Sequence, residues 1–61
     1  MKNKRYQFTF YDENNKKTDV LEVTARTFAE ATPEAYIYQK SLMNKYSKSN
    51  WDITSVKSKA L

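Results

Sequence analysis

The chain has 61 residues, a formal net charge of +4, and no cysteine, histidine or glycine. A chain of this length forms one domain with a small core. The missing residue types exclude a histidine base, a cysteine nucleophile, a disulfide and a glycine-rich phosphate loop. The acidic residues show no metal-loop spacing. We therefore expect a single non-enzymatic domain, residues 1–61, that uses no metal and no cofactor.

Two features of the sequence bear on location. No apolar run approaches the roughly 20 residues that a membrane-spanning helix needs, and the start MKNKRYQF lacks the apolar centre of a signal peptide. The lack of cysteine fits a reducing compartment. These features predict a cytoplasmic protein that has no membrane partner.

The positive charge is concentrated at both ends of the chain. Lys2, Lys4 and Arg5 give the first five residues a charge of +3, residues 6–39 carry −3, and residues 40–61 carry +4. If the first and last strands are neighbours, the two basic ends form one patch. Lysine-rich ends also occur simply because they keep a protein soluble.

Two alternating segments predict a β-hairpin. Residues 4–11 place aromatic side chains on one side, and residues 18–26 place small and aliphatic side chains on one side. The inward sets are Tyr6, Phe8 and Phe10 in the first strand and Leu21, Val23 and Ala25 in the second. The polar run between them carries turn chemistry, because asparagine tolerates the left-handed conformation and Asp12 can bind its own backbone.

Residues 28–46 predict one amphipathic helix, because apolar residues recur at helical spacing. These residues are Phe28, Ala31, Ala35, Tyr38, Leu42 and Tyr46. Two start signals compete, a capping box at Thr27–Glu30 and a proline start at Thr32-Pro33-Glu34. Proline inside a helix loses a hydrogen bond and clashes with the preceding turn. We therefore expect a short first turn over 28–31, a kink at Pro33 and a main helix that ends near Tyr46.

Residues 51–57 predict the third strand, with Trp51 and Ile53 pointing inward. Val56 breaks the alternation and indicates a bulge or the end of the strand. The element order is then ββαβ. A right-handed crossover puts the third strand beside the first, which predicts an α+β fold with an antiparallel sheet of order 2-1-3 and the helix on one face. Because the core is small, pairing of edge strands into a homodimer is also expected as an alternative.

The sheet face that the helix leaves uncovered, called the open face below, is one candidate site. Tyr11 could stack on a base, arginines could contact phosphates or guanine, and Gln7 could contact adenine. The candidate nucleic-acid-binding residues are Arg5, Gln7, Thr9, Tyr11 and Arg26. The third strand is expected to add Asp52 and Thr54 to this face. Since Asp52 and Glu22 interrupt the positive charge, an ordinary solvated face is the competing interpretation.

The outer side of the helix is a second candidate. Tyr36 and Met43 flank the buried stripe, Ile37 points away from it, and Lys40 lies nearby. Single exposed apolar residues are common. A group within two turns is also typical of a protein-binding patch, because Tyr and Met are favoured at interfaces.

The whole arrangement resembles small ββαβ proteins encoded by phages and mobile elements of low-GC Gram-positive bacteria. The resemblance depends on the residues Tyr11–Asn14, Ala25-x-Thr27, Glu30-Ala31, Glu34-Ala35 and Trp51-Asp52-Ile53, together with nine lysines and five asparagines. It departs from the commoner pattern at Asn15, where a turn glycine is usual. Proteins of that kind act as accessory or host-takeover factors, including stoichiometric inhibitors such as anti-CRISPR proteins. Sheet-plus-helix domains of similar size, as in the DNA-binding arm of conjugative-transposon integrases, bind duplex DNA through the sheet. The resemblance transfers no functional residue.

Three hypotheses follow. The first is a phage-encoded accessory protein in the host cytoplasm that contacts a host or phage protein through the outer side of the helix. The second is a small nucleic-acid-binding protein that uses the open face and the basic ends. The third is self-assembly through an edge strand.

Overall fold

A computed structural model describes residues 3–61. Within this range the chain forms strand β1 (Lys4–Asp12), strand β2 (Lys17–Ala25), helix α1 (Phe28–Lys45) and strand β3 (Trp51–Ala60). The sheet has the order β2-β1-β3, and β1 is antiparallel to both neighbours. The predicted α+β fold class and its ββαβ order are confirmed.

The core lies between the helix and the central strand. The alternation of β1 buries its aromatic residues, and β2 adds a half-buried aliphatic row because Phe8 pairs with Leu21 and Tyr6 pairs with Val23. The buried apolar residues are Tyr6, Phe8, Phe10, Ala31, Ala35, Leu42 and Trp51. The small side chains of Ala31 and Ala35 bring the helix backbone close to the sheet.

The hairpin turn differs in one detail from the expectation. The residue with a positive φ in this turn is Lys16, at 54°, and not one of the asparagines. Asp12 does bind the turn backbone as predicted, since its Oδ1 accepts a hydrogen bond from the Asn14 N–H at 3.1 Å. The turn therefore places the strained backbone at the last residue before β2.

The helix uses the first of its two start signals. Thr27 is the N-cap, and its hydroxyl oxygen accepts a hydrogen bond from the Glu30 N–H at 3.2 Å. One helix runs from Phe28 through Pro33 to Lys45, close to the expected span of 28–46, and the first turn over 28–31 belongs to it. The kink at Pro33 stays a prediction. Ala29 and Pro33 are both exposed, so water can solvate the Ala29 carbonyl that proline leaves without its helical donor. Phe28, which was expected in the core, is half exposed although it packs against Tyr6 and Phe8.

A β-bulge in β3 changes which side chains face the helix. Phe10 pairs with Ile53 and Thr9 pairs with Ser55, so Thr54 has no direct partner in β1. Beyond the bulge the alternation is inverted. Val56 therefore lies opposite Phe8 on the helix side. Of the two interpretations of Val56, the bulge is confirmed and the strand end is wrong, since β3 continues to Ala60.

Asp12 joins the two loops at one end of the sheet. It is fully buried, and its carboxylate accepts hydrogen bonds from the Asn14 and Asn50 backbone N–H groups and, at 2.6 Å, from the Asn15 side chain. Burial raises the pKa of this carboxyl, but the hydrogen bonds from Asn50, Asn15 and Asn14 outweigh burial and lower its pKa below the ordinary value of 3.8. Asp12 thus stabilises the fold in its ionised form.

Replacing Asp12 by Asn tests this role. Because the folded-state pKa lies below that of the unfolded chain, the contribution is present above about pH 4 and is lost as the pH falls through the folded pKa. We expect Asp12→Asn to lower the unfolding midpoint at pH 7 by roughly 5–10 °C. Circular-dichroism melts should show this difference shrinking below about pH 4. Asp52→Asn, at an exposed position of β3, is the matched control. An Asp12→Asn penalty that stays constant down to low pH would contradict the account.

Candidate functional site

The open face carries a shallow concavity near the end where β1 begins. Its volume is about 430 Å³, and we call it the basic concavity; it is lined by Arg5, Gln7, Glu22, Lys57, Ser58 and Lys59. Strand pairing builds it, because Lys57 lies opposite Gln7 and Lys59 lies opposite Arg5. Residues that pair directly across antiparallel strands share a face, so two lysines stand beside the arginine.

The charges of the basic concavity are largely free to meet an anion. Arg5 Nε lies 3.6 Å from Glu22 Oε2, with the two side chains 52% and 53% exposed. Exposed pairs of this kind are weak, about 0.2–1 kcal/mol. Within residues 3–61, neither Lys57 nor Lys59 forms an ion pair, and both are exposed. Three cations therefore face a single carboxylate.

The other half of the open face has a different chemistry. Tyr11 is half buried and lies opposite Asp52 on β3 and Thr18 on β2. Val20 pairs with Thr9 and is 43% exposed. This half therefore presents an aromatic ring and an aliphatic side chain next to an exposed carboxylate, with no lysine or arginine among the residues paired there.

The structure brings some of the predicted nucleic-acid-binding residues together. Arg5 and Gln7 line the basic concavity, whereas Thr9 and Tyr11 lie farther along β1. Arg26 follows the last residue of β2 and lines no part of the concavity; its backbone N–H donates to Glu30 Oε2 at 3.4 Å. The nucleic-acid interpretation thus keeps four of its five residues on one strand.

Lys57 and Lys59 belong to the predicted basic patch of the two chain ends, but they were not among the residues predicted for the open face. An uninterrupted alternation from Trp51 and Ile53 would turn Lys57 and Lys59 toward the helix. The bulge at Thr54 turns them to the open face instead. The signal was visible in the sequence, because Val56 fits the apolar side only if one residue is skipped before it. Thr54, which was expected on the open face as a paired residue, is the bulged residue, and its hydroxyl donates to the Thr9 carbonyl at 3.3 Å.

The two basic ends of the chain meet only in part. Arg5 and Lys59 are cross-strand neighbours, as the charge pattern predicted for adjacent first and last strands. Lys45 instead lies at the opposite end of the molecule, where its ammonium and that of Lys17 approach the Tyr46 ring at 5.5 and 4.8 Å. Lys2, which belonged to the predicted patch, lies outside the described residues.

The predicted protein-binding residues on the helix are exposed but divided between two flanks. Tyr36, Ile37 and Met43 are 57%, 61% and 40% exposed. Ile37 lines a groove beside β2 with Leu21, Val23 and Tyr38. At 100° per residue, Tyr36 and Met43 lie around the helix from Ile37, on the flank toward β3, with Lys40 between the two flanks. Lys40 is three or four residues from each of the other three, so the four residues form one exposed surface in which the lysine separates Ile37 from Tyr36 and Met43.

The Tyr38 hydroxyl anchors the helix to β2 by donating to Asp19 Oδ2 at 2.8 Å. This hydrogen bond, together with burial and the negative charge of Asp19, raises the pKa of Tyr38 above its usual value of 10.0. Tyr38 therefore stays protonated at neutral pH and serves as a structural anchor.

Comparison with protein-family models, with curated proteins and with solved structures finds no match for this chain. Within residues 3–61, no helix is both long and apolar enough to cross a membrane, and no cluster of three residues could hold a metal ion. The open face of the sheet and the outer side of the helix are the surfaces that bear on function.

Proposed function

We propose that this protein is a non-enzymatic nucleic-acid-binding protein whose phosphate-binding surface is the basic concavity. One observation carries the proposal: the bulge at Thr54 puts Lys57 and Lys59 on the same face as Arg5 and Gln7. Without the bulge, Arg5 would face Glu22 and no lysine of β3 would lie on the open face. With it, cations predominate at one end, which favours a phosphate backbone as the partner.

The side chains of the concavity suit phosphate contact in complementary ways. Arg5 presents a planar guanidinium that can hold two phosphate oxygens, whereas Lys57 and Lys59 act as mobile point charges. Gln7 lies two residues after Arg5 on β1 and opposite Lys57. It is half buried and carries both a donor and an acceptor that could contact a sugar or a base edge. Binding through three phosphates gives a slope of log K against log salt of about −2 to −3.

The proposal predicts that the two lysines control affinity. Lys57→Gln with Lys59→Gln should weaken binding of a short oligonucleotide roughly tenfold at low salt and flatten the salt slope to about −1, because two phosphate contacts are lost. Fluorescence anisotropy over a range of salt concentrations measures both quantities. Lys40→Gln with Lys48→Gln removes the same charge away from the open face and should change little. Equal losses in the two double variants would show attraction by net charge alone and would overturn the site.

A second prediction concerns Glu22. Its carboxylate occupies one side of the Arg5 guanidinium at 3.6 Å and repels phosphate. Glu22→Gln should therefore tighten oligonucleotide binding about twofold to fivefold, since an exposed ion pair of about 0.2–1 kcal/mol no longer competes.

Glu34→Gln provides the control for Glu22→Gln, because Glu34 is exposed beside Ile37 on the helix, off the open face. It changes the net charge equally and should leave affinity unchanged. Weaker binding by Glu22→Gln than by the wild type would contradict a phosphate site at Arg5.

A second candidate function is protein contact through the helix, favoured by the exposure of Tyr36, Ile37 and Met43. The resemblance to small phage proteins supports an accessory role of this type in a host cytoplasm. These residues lie around Lys40 on the outer side of the helix, and Phe28 is half exposed at the start of the helix. The affinity for a protein partner bound there would fall in Tyr36→Ser and in Met43→Ser. It would not change in Lys57→Gln with Lys59→Gln.

A further inference from the structure

The two halves of the open face differ in what they can bind. Arg5 and Tyr11 lie six residues apart on β1, which corresponds to about 20 Å at 3.3–3.4 Å per residue. Cations gather at the Arg5 end. At the other end, the Tyr11 ring lies between exposed Val20 on β2 and the carboxylate of Asp52 on β3.

We propose that the open face binds single-stranded rather than duplex nucleic acid, with phosphates in the basic concavity and a base stacked on Tyr11. This inference rests on the proposed function and names its partner. The nucleic-acid strand lies along β1. Its phosphate backbone contacts Arg5, Lys57 and Lys59, and the adjoining nucleotides extend to Tyr11. Stacking on an aromatic side chain accepts any base, because every base has a π-face.

The charge distribution argues against a duplex. A duplex carries phosphates on both of its strands, so a duplex long enough to cover the open face would bring phosphates over the Asp52 carboxylate as well as over the lysines. A single strand can turn its backbone away from Asp52 and present an uncharged base to Tyr11. The cations at the Arg5 end therefore suit the phosphates, and the ring beside the Asp52 carboxylate suits the uncharged base.

The shape of the open face points the same way. The major groove of duplex DNA is about 12 Å wide and admits an α-helix or a two-stranded ribbon. Within residues 3–61 the helix packs on the opposite side of the sheet, with Ala31 and Ala35 facing it. The open face itself is a broad three-stranded surface with a shallow concavity. Such a surface suits stacked, unpaired bases.

Tyr11 is suited to stacking by its half-burial. A side chain that is already partly packed has lost rotamer freedom on folding, so binding costs it little further entropy. Val20, on the neighbouring strand β2, lies diagonally from Tyr11 and widens the apolar surface beneath a base.

Fluorescence anisotropy with labelled oligothymidylate and oligouridylate of about 12 nucleotides, and with a duplex of equal length, tests the proposal at low salt. We expect the single strands to bind at least about tenfold more tightly than the duplex. The two sugars distinguish DNA from RNA. Tyr11→Leu should weaken single-strand binding about fivefold to hundredfold, and Tyr11→Phe should retain it within about twofold. Tyr36→Leu, an exposed tyrosine on the helix, is the control and should not affect binding.

Nuclear magnetic resonance of the wild-type protein keeps the test independent of any folding defect in Tyr11→Leu. Stacking predicts that the ring protons of Tyr11 shift when oligothymidylate is added. Duplex binding that equals or exceeds single-strand binding, or an unmoved Tyr11 ring while Lys57 and Lys59 shift, overturns single-strand stacking and leaves the phosphate site standing. No binding of any of the three probes at low salt overturns the proposed function as well.

Discussion

The strict alternation of side chains along a β-strand governs this molecule, and one unpaired residue in β3 changes its outcome. Before Thr54, Trp51 and Ile53 point into the core; after it, Val56 occupies the same side as Phe8. If β3 had no bulge, the ammonium groups of Lys57 and Lys59 would point to the helix side of the sheet, opposite Tyr6 and its apolar surroundings. The bulge avoids this arrangement, because it places Val56 on the helix side and exposes both lysines to water on the open face.

The rest of the fold positions this strand. Asp12 accepts hydrogen bonds from the hairpin turn and from Asn50, one residue before β3 begins, so the start of the strand is held against β1. From that point the register is carried along the sheet as far as Lys4, which pairs with Ala60. The buried carboxylate thus lies at one end of the sheet and the basic concavity at the other, joined by the pairing of β1 with β3.

Much of the fold was predictable from the sequence because its signals are local. Period-two alternation identified β1 and β2, helical spacing identified α1, and crossover handedness determined the strand order. The helix was predicted across Pro33 with a kink, because proline removes one helical hydrogen bond. Whether water solvates the freed Ala29 carbonyl depends on tertiary placement and cannot be read from the sequence. The candidate site was predictable only through Arg5, Gln7, Thr9 and Tyr11. The charge pattern placed Lys57 and Lys59 in a basic patch but not on the open face, because a break in alternation at Val56 shows that a strand is irregular without showing which residue is skipped.

The position of the bulge decides which way Lys57 and Lys59 point, and cross-strand nuclear Overhauser effects report that position residue by residue. In a labelled sample, the account predicts contacts between Gln7 and Lys57 and between Arg5 and Lys59, together with contacts between Phe10 and Ile53. A sheet with no bulge would show Gln7 opposite Val56 and Tyr6 opposite Lys57. That pattern would turn the lysines away from the open face and would contradict the account.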